Sequence, residues 1–323
     1  MLESFLFVIG GLVLLVIGGD RFVEGAAATA RHLGIPPILI GLVVIGFATS
    51  APELLVAATA SLAGNPTVAM GNAIGSNIAN IGLVLGFTAV VSPLFVSSGV
   101  LRREYPLMFV GLAIALLVCL DGALSNIDGV ILAVSLIVGL TISGWMGLSS
   151  GTGEPISDEV EQHFDPLPSL PMSLLWVVIG FVVLLLGADL LVDGAVAIAR
   201  AFGVPELVIG LTIVAVGTSL PELAASVAGA LKGESELAIG NVIGSNMFNA
   251  LGVLSVPALL APGAVPVMLL QRDFTYMFVL SVALYFMAIG WRRPGCINRY
   301  EGAALVIAFC GYQGLLFMQG ATT

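Results

Sequence analysis

Charge is what this chain has least of. Only 9% of its 323 residues are Asp, Glu, Lys or Arg, and 10 are Lys or Arg against 20 that are acidic. Such a chain, with its few cations scattered, offers no basic patch to nucleic acid. Cysteine is scarce as well. Cys119, Cys296 and Cys310 lie in or beside apolar segments without metal-type spacing, so no disulfide framework follows. Neither an H-E-x-x-H metal motif nor a G-x-x-x-x-G-K-[ST] phosphate loop occurs, which argues against an enzyme of those classes and against ATP-driven pumping. The apolar start lacks the Lys or Arg of a signal peptide and carries Glu3 instead, so it reads as a mature helix.

What fills the space is hydrocarbon: 59% hydrophobic residues and a mean hydropathy of +1.12, far outside the soluble-globular norm. Crossing a hydrocarbon core of ~30 Å takes about 20 helical residues. Ten apolar stretches of suitable length recur, at 2–33, 36–62, 66–92, 104–120, 127–148, 172–202, 205–231, 235–261, 273–291 and 300–319. Their residues do not alternate apolar and polar as barrel strands do. The fold class expected is therefore an all-α integral membrane protein.

With ten spans both termini share a side. Arg31, Arg102, Arg103, Lys232, Arg292, Arg293 and Arg299 fall on the opposite side, Arg21 leans the same way, and Arg200 and Arg272 fall on the terminal side. The positive-inside rule then puts both termini outside and the acidic 149–171 linker in the cytoplasm. Trp145, Trp176 and Trp291 fit interfacial belts, and His32 and His163 read as solvent-facing.

The stretch "GFATSAPELL" at 46–55 has a partner, "AVGTSLPELA" at 215–224. Glu53 matches Glu222 (222 − 53 = 169), and the same offset carries Asp20 to Asp189, Arg31 to Arg200, Gly71 to Gly240, Asn80 to Asn249 and Arg103 to Arg272 without a gap. Two copies follow, 1–148 and 172–323, joined by 149–171. Five spans in each copy, an odd number, force the second to run upside down relative to the first, an architecture of secondary transporters with substrate held near the midplane.

Spacing puts Thr49 and Thr218 near mid-bilayer, with Glu53 and Glu222 about one turn beyond in opposite senses. Pro52 and Pro221 lack the N–H that would bond to the carbonyls of Ala48 and Gly217, so spans 2 and 7 should break there. Free carbonyls, Thr and Ser hydroxyls and a carboxylate collect oxygen, the ligand hard cations want. In "GNAIGSNIAN" at 71–80 and "GNVIGSNMFN" at 240–249, Asn72, Ser76 and Asn80, like Asn241, Ser245 and Asn249, line one helical face. Gly71 with Gly75 and Gly240 with Gly244 make edges for close helix approach. Asp20 with Glu24, and Asp189 with Asp193, read as interfacial or vestibular.

G-x-x-T-S-x-P-E followed by G-N-x-x-G-S-N-x-x-N, twice in inverted halves, resembles the alpha repeats of the cation/calcium exchanger superfamily, of a bacterial or archaeal type. The resemblance covers essentially the whole chain. It implies that Na⁺ and Ca²⁺ compete for a midplane cluster of Glu53, Thr49, Ser50, Ser76 and Asn80 from one half and Glu222, Thr218, Ser219, Ser245 and Asn249 from the other, with backbone oxygens of Gly46 and Ala215. Some exchangers of this family carry Asp where this chain has Asn249, so the central charge here is at most −2. The function implied is Na⁺-driven Ca²⁺ antiport by alternating access, in a prokaryotic inner membrane, with inorganic cations and the lipid bilayer as partners and no cofactor, nucleic acid, ATP or evident protein partner. A Ca²⁺/H⁺ antiporter using the same glutamates and a gated cation channel are the other readings of these residues.

Overall fold

The computed structural model describes residues 2–149, 168–203, 215–289 and 295–320. It is an all-helical membrane protein. Among the described residues, six helices are long and apolar enough to cross a bilayer: α1 (Leu2–Leu33), α4 (Pro66–Val91), α6 (Asn126–Ser149), α7 (Leu170–Ala201), α10 (Ser235–Leu260) and α12 (Arg299–Gly320). A seventh span arises if α2 (Ile40–Thr49) and α3 (Ala51–Leu62), bent by 41° at Ser50, are taken together. The other expected spans meet shorter helices: α5 (Glu104–Cys119), α8 (Ala215–Thr218) followed by α9 (Leu220–Leu231), and α11 (Thr275–Ala288). The first part of the seventh expected span, the linker's 150–167, His163 and Trp291 lie outside the described residues.

Burial separates these helices into two classes. The apolar windows of α4 and α10 are 72% and 83% buried, whereas those of α1, α6, α7 and α12 are 22% buried, so α4 and α10 are the central helices. Their composition explains it: Gly, Ala, Ser and Asn replace the bulky aliphatics that face lipid elsewhere, and small side chains let backbones approach. Both central helices pass through a π-helical turn, Asn80–Leu85 in α4 and Phe248–Val253 in α10. Among the described residues two further π-turns occur: Ile40–Ile45 forms the start of α2, and Leu269–Phe274 leads into α11 and carries the Arg272–Asp273 ion pair, whose carboxylate also accepts from Tyr312 Oη at 2.9 Å.

Two short antiparallel ladders were not foreseen. β1 (Leu94–Val96) pairs with β4 (Gly295–Ile297), and β2 (Ala123–Leu124) pairs with β3 (Gly263–Ala264), each ladder joining one half of the chain to the other. These strands, of two or three residues, are loop anchors and leave the class all-helical.

α1 and α7 are built differently from the rest. Gly11, Gly18 and Gly25 recur every seven residues along α1, and Gly180, Gly187 and Gly194 do so along α7. A Cβ placed at Gly11 would lie 2.6 Å from the Leu191 N, at Gly18 2.7 Å from the Leu184 N, at Gly187 2.8 Å from the Leu15 N and at Gly194 2.6 Å from the Ser4 O. The two helices therefore touch backbone to backbone along an antiparallel seam. Phe22, Val23, Ala26 and Ala30 of α1 and Leu184 and Ala188 of α7 share a hydrophobic cluster with Ile40 and Ile45 of α2, Ala225 of α9 and Leu237 of α10, distinct from the large cluster that fills the remainder. Small residues meet where pair and remainder touch: a Cβ at Gly19 would sit 3.0 Å from the Ala224 O.

Candidate functional site

The two breaks come first. Ser50 (φ −83°, ψ 4°) separates α2 from α3, and Ser219 (φ −90°, ψ 4°) separates α8 from α9. Both fall two residues before the prolines. Pro52 and Pro221 thus sit in the first turn of the following helix, where a missing N–H is tolerated. Each break sets a carboxylate, Glu53 or Glu222, in the first turn of an apolar helix, where the N-terminal dipole favours negative charge.

Both carboxylates are completely buried. All four of their oxygens lack a hydrogen-bond partner among the described residues. The groups facing them come from the opposite half: Thr218 faces the Glu53 carboxylate, and Glu53 itself, Thr49 and Ser50 face that of Glu222. An isolated buried carboxylate is among the most expensive groups a protein can hold. Two in mutual reach require either a shared proton or a compensating cation.

α10 brings the second half's polar face against the first half's break. Thr49 Oγ1 lies 3.0 Å from the Ile45 O, 3.1 Å from the Asn241 Oδ1 and 3.4 Å from the Ser245 Oγ, so its single proton serves one acceptor at a time. Ser245 Oγ lies 3.5 Å from the Gly46 carbonyl. This approach depends on glycine: a Cβ at Gly240 would stand 2.6 Å from the Ile38 O, one at Gly41 2.6 Å from the Leu237 O, and one at Gly244 would overlap the Leu42 O. The Gly240/Gly244 edge thus does what its spacing suggested. Residues 204–214, the counterpart of the α2 stretch that meets this edge, lie outside the described residues.

Ser76, Asn80, Ser219 and Asn249 are buried as well, and both amide atoms of Asn80 and Asn249, with Ser219 Oγ, have no hydrogen-bond partner among the described residues. No hydrogen bond joins any of them to either glutamate among the described residues. Ala215 opens α8, so its backbone oxygen stands one turn before the second break.

Asn72 and Asn241 have a role that their place on the polar face did not reveal. Asn72 Nδ2 donates to the Glu53 carbonyl at 3.3 Å, and Asn241 Nδ2 donates to the Glu222 carbonyl at 3.2 Å and to Ser226 Oγ at 2.9 Å. Each asparagine pins the backbone of the glutamate that precedes it by 19 residues. That equal spacing in both copies was the available signal. Asn77 and Asn246 were also overlooked: both are wholly buried, and Asn246 Nδ2 reaches Met108 Sδ at 3.7 Å.

One contact distinguishes the halves. A Cβ at Gly217, next to Thr218, would overlap Val192 Cγ2 of α7, whereas the first copy has Ala48 at the matching position. Gly217→Ala is therefore expected to displace Val192 from the second break and slow cation turnover about tenfold, equivalent to ~1.4 kcal/mol. Adding Val192→Ala should restore most of the rate, as measured by isotope flux in reconstituted vesicles.

The chain is similar to known proteins over nearly its whole length. The family model described as sodium/calcium exchanger protein matches twice in succession, over residues 3–145 and 172–318. CaxA of Alkalimonas amylolytica is 43% identical over 317 residues, covering 98% of this chain and 99% of that protein. The inner membrane protein YrbG of Escherichia coli is 38% identical over 324 residues, covering 98% of each. The solved structure of the sodium-calcium exchanger NCX_Mj, soaked with Na⁺ and Sr²⁺, superposes with a TM-score of 0.81 at 34% identity, covering 96% of this chain and 97% of that one. Two buried carboxylates without hydrogen-bond partners among the described residues, a matching family model over nearly all of both halves and full-length relatives lead to one statement: this chain belongs to the sodium/calcium exchanger family, which consists of cation transporters and not of enzymes.

Proposed function

We propose that the chain exchanges Ca²⁺ for Na⁺ across the inner membrane by alternating access, through one central cation site. Its ligands are Glu53, Thr49, Ser50, Ser76, Asn80 and the Gly46 carbonyl from the first half, and Glu222, Thr218, Ser219, Ser245, Asn249 and the Ala215 carbonyl from the second. The observation that carries this reading is the set of four carboxylate oxygens, completely buried and without hydrogen-bond partners among the described residues, each pair facing hydroxyls of the other half. The wider frame is ten spans in two inverted copies, 1–148 and 172–323, broken in the second and seventh, with 149–171 as a cytoplasmic linker and both termini outside. Matching breaks at Ser50 and Ser219 and the twofold family match favour that division.

Exchange follows from charge. With −2 at the centre, the empty site holds two repelling carboxylates away from water, so closing it around nothing is costly. One Ca²⁺ or two Na⁺ neutralise it. A site that closes only when neutral carries one ion in and another out and seldom returns empty.

The test is Ca²⁺ uptake into proteoliposomes under imposed Na⁺, K⁺ or H⁺ gradients with the voltage clamped. Uptake driven by an outward Na⁺ gradient is expected. Uptake driven by a pH gradient without Na⁺ would assign the glutamates to Ca²⁺/H⁺ exchange. Flux indifferent to every counter-gradient would make the protein a channel.

A further inference from the structure

Alternating access in an inverted repeat needs two states in which the copies trade roles, and the structure captures one arrangement of the α1/α7 pair against the remaining helices. The turn after α9, Lys232 to Glu234, grips α1 at two points. Lys232 Nζ meets Asp20 Oδ1 at 2.6 Å, and Glu234 Oε1 meets Arg31 Nη2 at 3.7 Å. Asp20 and Arg31 are separated by about 16 Å along the helix axis at 1.5 Å per residue, so a slide of α1 along itself must disturb both contacts. The repeat shows what the other arrangement would offer. Asp20 and Arg31 have counterparts on α7, Asp189 and Arg200, but Lys232 and Glu234 correspond to Ala63 and Asn65. The charged turn exists in one copy only, although the bearing glycines, Gly64 and Gly233, both adopt a φ of 78°. The two turns share a backbone and differ in what they can hold.

Building on the exchange reading above, we propose that the Asp20–Lys232 and Arg31–Glu234 pairs form a one-sided ionic latch, which makes the two access states of this protein unequal in population and favours the one described. The α1/α7 pair is the body that is latched: its helices share a backbone seam, and its contact with the core joins Gly19 and Ala224 to an apolar cluster that includes Ile40, Ile45, Ala225 and Leu237. Apolar contact has no preferred direction, so a few charged contacts at its rim can set the balance between two positions. The pairs are partly exposed, with side chains 48% and 31% accessible for Asp20 and Lys232 and 35% and 25% for Arg31 and Glu234. Contacts of that kind shift an equilibrium by roughly two- to fivefold and weaken with salt.

The experiment measures position without transport, so it stands or falls separately from the exchange assay. Spin labels are placed at Leu33→Cys on α1 and Leu117→Cys on α5, both exposed, with Cys119, Cys296 and Cys310 replaced by alanine. Distance distributions are recorded in nanodiscs in choline chloride, free of Na⁺ and Ca²⁺. One distance should dominate the parent protein. Lys232→Ala with Glu234→Asn, which gives the second turn the residues of the first, should raise the minor distance two- to fivefold relative to the major one. Raising choline chloride in the parent should move the populations the same way. The swap Asp20→Lys with Lys232→Asp should restore the parent distribution, and Ala63→Lys with Asn65→Glu should bring the two populations closer together. A distribution unmoved by the loss of Lys232 and Glu234, or one disturbed equally by the charge swap, overturns the latch.

Discussion

Glu53→Gln and Glu222→Gln will each abolish calcium exchange while leaving the protein folded, and each will make it more heat-resistant when no transported cation is present. Replacing a charged ligand by an isosteric amide removes one of two charges that a cation must meet. Losing one partner of a buried ionic contact weakens it by about 3–5 kcal/mol, a factor of at least a hundred in affinity. Stability should move the opposite way. In the empty protein the two carboxylates are buried, mutually repelling and without partners among the described residues, so neutralising one relieves desolvation and repulsion together. Thermal unfolding in detergent checks both halves of the argument. The unmodified protein should gain stability with Ca²⁺ by mass action; the Gln variants should start higher and gain little. A variant that unfolds earlier without cations would show the glutamates to be structural partners.

Gly244→Ala should have the second largest effect, by a route that substitutes none of the proposed ligands. The added methyl would overlap the carbonyl oxygen of Leu42, and backbone cannot rotate away as a side chain does. Overpacking of this sort costs roughly 1–3 kcal/mol where neighbours can give, and more where they cannot. α10 must back off from α2, carrying Ser245 and Asn241 away from Thr49, whose oxygens now stand 3.4 and 3.1 Å apart from it. Affinity for Ca²⁺ should fall at least tenfold, as read by thermal shift against Ca²⁺ concentration. Gly75→Ala on α4 serves as the comparison, because no neighbouring atom among the described residues lies within 4 Å of the new methyl.

The sequence made the breaks legible because proline is a strong local signal: the helix parts at Ser50 and Ser219, between the carbonyls of Ala48 and Gly217 and the prolines, which then occupy a first turn. The polar face of Asn241, Ser245 and Asn249 and the Gly240/Gly244 edge were readable from helical period alone. Other features left no such trace. Two- and three-residue strands such as Ala123–Leu124 are too short to carry an alternation, and the π-turn at Asn80–Leu85 differs from α-helix by one inserted residue with no fixed composition. Asp20 looked like a vestibular charge because its partner, Lys232, is distant in sequence and lies in a turn whose equivalent is uncharged. Asn241 was counted as one oxygen among several, when its amide nitrogen fastens the Glu222 backbone.

The glycine seam has a bearing on the host bilayer. α1 and α7 have 32 residues each, close to 48 Å of helix, against a hydrocarbon layer of about 30 Å. Rods that overshoot the layer lean, and two rods fused along a shared line must lean by the same angle. Lipid thickness thereby acts on both as one lever, so longer acyl chains should stand the pair upright and shorter ones lay it over.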